Sequence, residues 1–392
     1  MRKHIVMAIV GSAEHVPPVL NEGSSFAQAG YDVTLLAIRT KKTQSREESP
    51  VGGFNIKRMT LLTRSIFGEG DRWSLLRYCE IAVRSFFLAL FQRADLFIAH
   101  DLVTLPYLYP LARLRGKPIV YRAHEIWSEQ SVSFPHAPLW HKFDRFFSQR
   151  VDLIVSPEQN RARIYQEEYK APKFPTVVFN CPKFIEKPDH SPLRQILSDA
   201  GITCRHIVYY QGGCGPTRST DILVQSMQFL SEDVALVLIG TAGTAFIEWL
   251  RSFTKFYNME RRILYLDPIP YGARLFELCS GADVGAAFAK GDCRNNLFSA
   301  TATNKLFEYM MMGLPVVAPN FKSYQEIVEK EEIGICVDSE NPSSIADGVT
   351  KLLHDPNRLF HIKANCLRFA KEKYNWDLIF PKLLKRYQEL MR

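Results

Sequence analysis

Short apolar runs alternating with stretches of helical spacing constrain the fold of this chain more than any other feature. The runs fall at residues 4–10, 32–38, 54–60, 96–100, 118–124, 153–156 and 176–180, and again at 206–211, 235–240, 262–266, 284–288, 315–318 and 335–337. Most are continuous in Val, Ile and Leu, as strands covered on both faces are. Strand, helix and strand in that order build a parallel sheet. A chain of 392 residues exceeds one ordinary core, so two sheets in two domains are expected. The proline-bearing segment 181–191, CPKFIEKPDHS, is the expected linker. The division that follows is residues 1–185, residues 186–375 and a last helix over 376–392. Two doubly wound sheets place ligand sites at the carboxyl ends of their strands, facing a central cleft.

Eight cysteines are scattered without a C-x-x-C pair, which argues against a zinc ribbon or a disulfide framework and for a reducing cytosol. The opening MRKHIVMAIVG lacks a small-residue cleavage site and reads as a first strand entering a glycine turn. The longest apolar run, residues 86–91, is far too short to span a bilayer. A cytoplasmic protein is expected.

The charge is lopsided. Residues 1–185 hold 25 Lys and Arg against 17 Asp and Glu, whereas residues 186–392 hold 24 of each. A basic half attracts phosphates or anionic lipid. Two aromatic and basic stretches lie within it, residues 72–92 and 130–147. In the first, Arg72, Arg77, Arg84 and Arg93 oppose Trp73, Leu76, Phe87, Leu90 and Phe91. Such a helix either packs on the sheet or rests on an anionic membrane surface. No nucleic-acid recognition motif accompanies the charge, so no nucleic-acid partner is expected.

The chemistry concentrates in residues 295–319, NNLFSATATNKLFEYMMMGLPVVAP. Thr303 or Asn304 can cap a helix whose first turn holds Lys305 and, three residues on, Glu308. A helix N-terminus with a lysine suits a phosphate, and a carboxylate one turn deeper suits a ribose diol. An ordinary lysine–glutamate pair on one helix face is the alternative. Residues 209–220, YYQGGCGPTRST, give a strand, a turn with Gly212 and Gly213, and Arg218 at a helix start. Glycines admit close backbone approach, and an arginine fork suits phosphate oxygens. Arg218 can equally be a surface arginine. His100 with Asp101, and His124, stand at the ends of two strands in the first half. Asp101 can equally cap the next helix, and a lone histidine is often structural. The sequence contains no D-x-D and no ligand-spaced cluster, so no metal is expected.

NKLFEYMMMGLPVVAPNF, the following Glu326, Ile327 and Val328, and GICVDSENPSSIADGV together resemble the nucleotide-sugar site of glycosyltransferase family 4. The resemblance implies an α/β chain of the GT-B fold, two Rossmann-like doubly wound domains facing a central cleft. It implies a retaining, metal-independent transfer of a hexosyl or N-acetylhexosaminyl group from a nucleotide diphosphate sugar, without a cofactor. The acceptor would be a lipid-linked or soluble glycan, in cell-surface polysaccharide or glycolipid synthesis. By resemblance the donor site comprises Gly212, Gly213, Arg218, Asp267, Ile269, Thr303, Asn304, Lys305 and Glu308, with the turn at Asp267 to Ile269 holding the base. YRAHEIWSE and FIAHDLVTLPYLYP resemble two further family segments. They imply a catalytic His124, acting with Arg218 and Lys305, and an acceptor side at His100, Asp101 and Glu125. The chain departs from the pattern at Thr303, where proline is usual, at Arg122, where aspartate is common, and at Ala300, where the first of two paired glutamates stands. A nucleotide-sugar epimerase of the same fold and a catalytically silent GT-B partner subunit are the rival readings, Ala300 supporting the second.

Overall fold

The structure is a computed structural model that describes residues 2–11, 16–39, 47–48, 52–63, 74–129 and 137–392. The chain divides into two compact units, Met1–Phe179 with Ile379–Arg392, and Asn180–Leu378.

Among the described residues the first unit is built on eight strands: β1 (His4–Ala8), β2 (Asp32–Ile38), β3 (Glu47–Glu48), β4 (Asn55–Met59), β5 (Leu96–His100), β6 (Ile119–Arg122), β7 (Leu153–Ser156) and β8 (Thr176–Val177). Their order is β3-β4-β2-β1-β5-β6-β7-β8. All neighbours are parallel except β3 and β4, a two-residue polar pairing that no apolar run announces. β1 lies between β2 and β5, with Ile5 opposite both Val33 and Leu96. From Ile5 to Ala8 its side chains are apolar and buried on both faces. The chain changes direction across the sheet between β1 and β5, so the carboxyl end of β5 is a topological switch point. His100 ends β5 there.

The last helix, Trp376–Leu390, belongs to this unit from Ile379 onward. Tyr387 stacks on Phe26 of the helix Pro17–Gln28 at 5.4 Å, and Phe380 meets the same ring edge-on at 5.2 Å. The segment 181–191, by contrast, packs within the second unit. The Pro182 carbonyl accepts the Trp376 amide at 2.8 Å, and the Phe184 amide donates to Asp377 at 2.8 Å.

The helix Ser74–Leu90 buries a narrow face, Ile81, Ser85 and Ala89, spaced by four. Leu76, Val83, Phe87 (54% exposed) and Phe91 (81%) stay outside. These four residues therefore do not pack inward; the buried face adjoins the helix Leu105–Leu114 and reaches the sheet through Ser85, whose hydroxyl lies 3.4 Å from the Met59 sulfur of β4. Arg72 and Trp73 lie outside the described residues. In the second aromatic stretch the described part is the helix Ala137–Ser148, which buries Trp140, Asp144 and Phe147 and exposes Leu139, Phe143 and Phe146.

The second unit holds six parallel strands: β9 (His206–Gln211), β10 (Val234–Ile239), β11 (Ile263–Leu266), β12 (Val284–Ala286), β13 (Val316–Pro319) and β14 (Gly334–Val337). Their order is β11-β10-β9-β12-β13-β14. The chain runs outward from β9 to β11, then restarts on the other side at β12. The switch point is thus the gap beside the carboxyl end of β9.

Candidate active site

Two glycines shape the loop that leaves β9. Gly240, just after β10, has φ 149°, and a Cβ there would lie 1.7 Å from the Gly212 carbonyl oxygen. Gly212 itself has φ 122° and donates its amide to the Ile239 carbonyl at 2.9 Å. The loop is pinned again at Cys214, whose amide donates to the Thr241 carbonyl at 2.8 Å. Thr220 closes it from inside, its hydroxyl accepting the Gly215 amide at 2.6 Å and facing the Gly215 carbonyl at 3.1 Å. Gly212, Gly213 and Arg218 are left exposed along the outside of this loop. Arg218 ends the one-turn helix Pro216–Arg218, with Nη1 3.4 Å from Asn296 Oδ1.

The helix Asn304–Met311 brings the second group of side chains to the same strand end. Lys305 Nζ donates to the Tyr210 hydroxyl at 3.0 Å and sits 4.1 Å from the centre of that ring. It also lies 3.5 Å from where a Gly212 Cβ would stand. Glu308 accepts a hydrogen bond from the Gln211 amide. Lys305 and Glu308 close no ion pair with each other among the described residues; each turns to β9 instead. The simple helix pair is therefore not what this spacing forms. Burial pushes the Lys305 ammonium down to about 7, with Arg218 adding to the effect and Cys214 and Glu308 opposing it. Burial pushes the Glu308 carboxyl, 4% exposed, up to about 7 against the Gln211 amide and Lys305.

Thr303 holds the cap position with extended backbone, φ −95° and ψ 136°, but its hydroxyl caps nothing. Asn304 is the first helical residue and not the cap. The side-chain cap expected from sequence is therefore not formed; the turn before the helix is held instead by Ser299, whose carbonyl accepts the Ala302 amide at 3.0 Å and the Thr303 amide at 2.9 Å. The first-turn amides thus lack a side-chain cap, in a place where a helix N-terminus favours an anion. Ala300 is fully buried. Asp267 and Ile269 follow β11, Asp267 exposed and Ile269 half-buried.

Gln211 escaped the sequence reading. It orients Glu308, and its own carbonyl group accepts the Tyr209 hydroxyl at 3.0 Å while its backbone amide donates to the Tyr309 hydroxyl at 3.1 Å. The only signal is a glutamine ending an apolar strand before a glycine.

The first unit has its own polar cluster. His100 Nδ1 and His124 Nε2 are 2.9 Å apart, with the rings nearly parallel. His100 is fully enclosed, and His124 is half-buried. Behind His100 stands Glu22, with Oε2 3.9 Å from His100 Nε2 and 3.0 Å from Arg122 Nε. Tyr387 donates its hydroxyl to Glu22 Oε1 at 2.7 Å. Arg122, one of the positions at which the chain departs from the resemblance, is thus paired by a buried glutamate from the helix Pro17–Gln28. Sequence reasoning missed Glu22, since one glutamate in a helix gives no signal. Burial, with Arg122 and Arg161, holds His124 down at about 3. Glu125 is exposed, and its carbonyl accepts the Tyr165 hydroxyl at 3.3 Å.

Asp101 has φ 69° and ψ 159°, a region that L side chains rarely adopt and that costs of order 1–3 kcal/mol. Its side chain does not cap the following turn; its carbonyl accepts the Thr104 hydroxyl at 2.8 Å. The capping alternative therefore falls, since this backbone points the carboxyl elsewhere. Burial, and then Glu125, raises the Asp101 carboxyl to about 8, opposed by the amides of His124 and Glu125 and the Trp127 indole.

Two doubly wound units, parallel but for the β3–β4 pair and each gathering polar groups at its switch point, define the GT-B class. Sucrose-phosphate synthase from Thermosynechococcus elongatus shares this fold, with a TM-score of 0.80 and 15% identity over 99% of both chains. So does Anabaena HepE in its complex with UDP-glucose, with a TM-score of 0.77 and 15% identity over 98% of this chain and 99% of that one. Residues 19–182 match the family model described as Glycosyltransferase Family 4, and residues 205–355 match the one described as Glycosyl transferases group 1. The chain belongs to this glycosyltransferase family. A D-inositol 3-phosphate glycosyltransferase of Xylanimonas cellulosilytica is 28% identical over 186 residues, 47% of this chain and 42% of that protein. The match covers less than half of that relative's length.

Proposed function

We propose that the protein transfers a sugar from a nucleotide diphosphate sugar to an acceptor hydroxyl, with retention of configuration and without a metal. The observation that carries this reading is the meeting of Lys305, Glu308 and the glycine loop at the end of β9. Lys305 and Arg218 would stabilise charge developing on the leaving phosphate, and the uncapped amides of the helix Asn304–Met311 would add to it. Glu308 would accept hydrogen bonds from the ribose, with Asp267 and Ile269 beside the base. The leaving phosphate would help take the acceptor proton, so no further base is required. His124, Asp101 and Glu125 would face the sugar and acceptor. HepE was crystallised with UDP-glucose, which fits a donor of this class. Cell-surface polysaccharide or glycolipid synthesis is the setting we propose. An epimerase would need an acid and base pair around the sugar, and a silent partner subunit would bind donor without releasing nucleotide. Release of nucleoside diphosphate from a donor panel separates these three.

Replacing Glu308 with alanine should weaken donor nucleotide binding by about 1–3 kcal/mol, the cost of a lost buried hydrogen-bond acceptor. Titration calorimetry on folded protein checks this, and unchanged affinity contradicts the ribose assignment. Turnover should survive EDTA; inactivation by EDTA with rescue by manganese contradicts metal independence.

The exposed apolar residues favour a second element of the proposal, docking of the first unit on the cytoplasmic face of an anionic membrane. Leu76, Val83 and Phe87 on one helix, Phe91 just past its end, and Leu139, Phe143 and Phe146 on another helix are exposed in the basic half of the chain. Among the described residues no helix is long and apolar enough to cross a membrane. Shallow aromatic insertion plus about 1 kcal/mol for each basic residue at the surface gives reversible attachment. Co-sedimentation with anionic vesicles should be lost in high salt and weakened by Phe87→Asp with Phe91→Asp. Protein that stays in the supernatant at low salt points to a soluble acceptor.

A further inference from the structure

The chain Tyr387–Glu22–His100–His124 links the last helix to the half-buried histidine through groups that solvent barely reaches. Two neutral imidazoles 2.9 Å apart share one proton between Nδ1 of His100 and Nε2 of His124, so two arrangements compete. In one, His100 carries its proton on Nε2 and accepts at Nδ1, and His124 donates through Nε2 and keeps the lone pair on its own Nδ1. In the other every role is reversed.

Glu22 decides between them. Arg122 is always protonated and nearly fully buried, with Nε 3.0 Å from Glu22 Oε2, and an uncompensated buried guanidinium is costly. Glu22 is therefore ionised, although burial pushes its carboxyl upward against Arg122 and the Tyr387 hydroxyl. Tyr387 engages Oε1 at 2.7 Å and turns Oε2 toward Arg122 and His100. At 3.9 Å His100 Nε2 is beyond hydrogen-bond length but well inside the reach of a charge in a low-dielectric interior. An N–H facing that oxygen is attracted, and a lone pair facing it is repelled. Burial also keeps both rings neutral, so neither escapes the choice by taking a second proton.

We infer that Glu22, held by Tyr387 and Arg122, fixes His100 as the Nε2–H tautomer and thereby presents His124 with an unprotonated Nδ1, ready to accept a hydrogen bond from a hydroxyl. Glu22, His100 and Tyr387 are then positioning residues for His124. His124 Nδ1 has no hydrogen-bond partner among the described residues. The consequence for catalysis rests on the placement of His124 beside the sugar proposed above; the tautomer does not.

Nitrogen NMR of the full chain labelled in its imidazoles reads the tautomers directly, with His100→Asn and His124→Asn supplying the assignments. In the wild type, His124 Nδ1 should appear at the unprotonated position and His124 Nε2 at the protonated one. Tyr387→Phe removes one hydroxyl from an otherwise unchanged helix, and should shift His124 Nδ1 toward the protonated position while circular dichroism stays the same. Glu22→Gln should shift it further if that variant folds. A protonated Nδ1 in the wild type, or a His124 spectrum unchanged in Tyr387→Phe, overturns the inference. UDP binding measured on the same samples tests the functional proposal separately, since Tyr387 lies in the first unit and should leave it unchanged.

Discussion

Lys305→Ala should lower turnover by about two to three orders of magnitude, the effect typical of removing one preorganised donor from a developing anion. Three contacts set this expectation. The ammonium is packed on the Tyr210 ring, bonded to its hydroxyl, and directed at the glycine loop that leaves β9. None of them neutralises its charge, which is why burial and Arg218 hold it near 7. A pyrophosphate arriving there would supply the missing counter-charge and raise that value, so binding above pH 7 should take up a proton. The sign follows from the depressed value in the free protein: above 7 the lysine is mostly neutral, and only the protonated form pairs with phosphate. Affinity should therefore fall as pH rises from 7 to 9. Glu308 titrates in the same range, so the lysine is isolated by comparing wild type with Lys305→Ala, which retains Glu308. Calorimetry in buffers of different ionisation enthalpy reads the difference. Equal proton uptake in the two proteins contradicts the role given to Lys305, as does a variant that turns over at the wild-type rate.

Gly240→Ala should be among the most damaging single substitutions in the second unit, by about 3 kcal/mol. The new Cβ would stand 1.7 Å from the Gly212 carbonyl oxygen, at φ 149°, where L side chains are strained in any case. The obstacle is backbone, which cannot swing aside as a side-chain tip can, and it belongs to the loop proposed to receive phosphate. Relief therefore requires β9 and β10 to part where their loops cross, at the Gly212 to Ile239 hydrogen bond. For a unit of this size such a loss lowers the melting temperature by about 6–12 °C. Thermal unfolding followed with nucleotide binding checks both consequences. A variant that melts with the wild type and binds nucleotide equally well contradicts this picture of the loop.

The sheets were largely legible in the sequence because central parallel strands are apolar on both faces. The runs at 32–38, 96–100, 153–156 and 206–211 are strands with the same bounds in the structure. β3 was not legible, since two glutamates on an edge carry no apolar signal. The helix Asn304–Met311 was announced by its start at Thr303 or Asn304 and by the apolar run at 315–318 that follows it, but the partners of Lys305 and Glu308 were not. Those partners, Tyr210 and Gln211, come from a strand almost a hundred residues earlier, which local spacing does not reveal. The Glu22–Arg122 pair was hidden for the same reason. The aromatic helices misled in the opposite direction. The face bearing Phe87 and Phe91 reads as packing either on the sheet or on a membrane surface, yet Ile81, Ser85 and Ala89 form the inner face. Periodicity says that a helix has faces; which of two apolar faces turns inward depends on how closely its neighbour packs.

The central claim, that the second unit binds a nucleotide diphosphate sugar between the glycine loop after β9 and the helix Asn304–Met311, is tested most directly by titrating UDP, ADP and GDP into the full chain by calorimetry. The account predicts that at least one binds the wild type with one-site stoichiometry, and that binding is strongly weakened in Lys305→Ala and in Glu308→Ala while both variants keep their secondary structure. Absence of binding by all three, or equal affinity in the wild type and both variants, would contradict it.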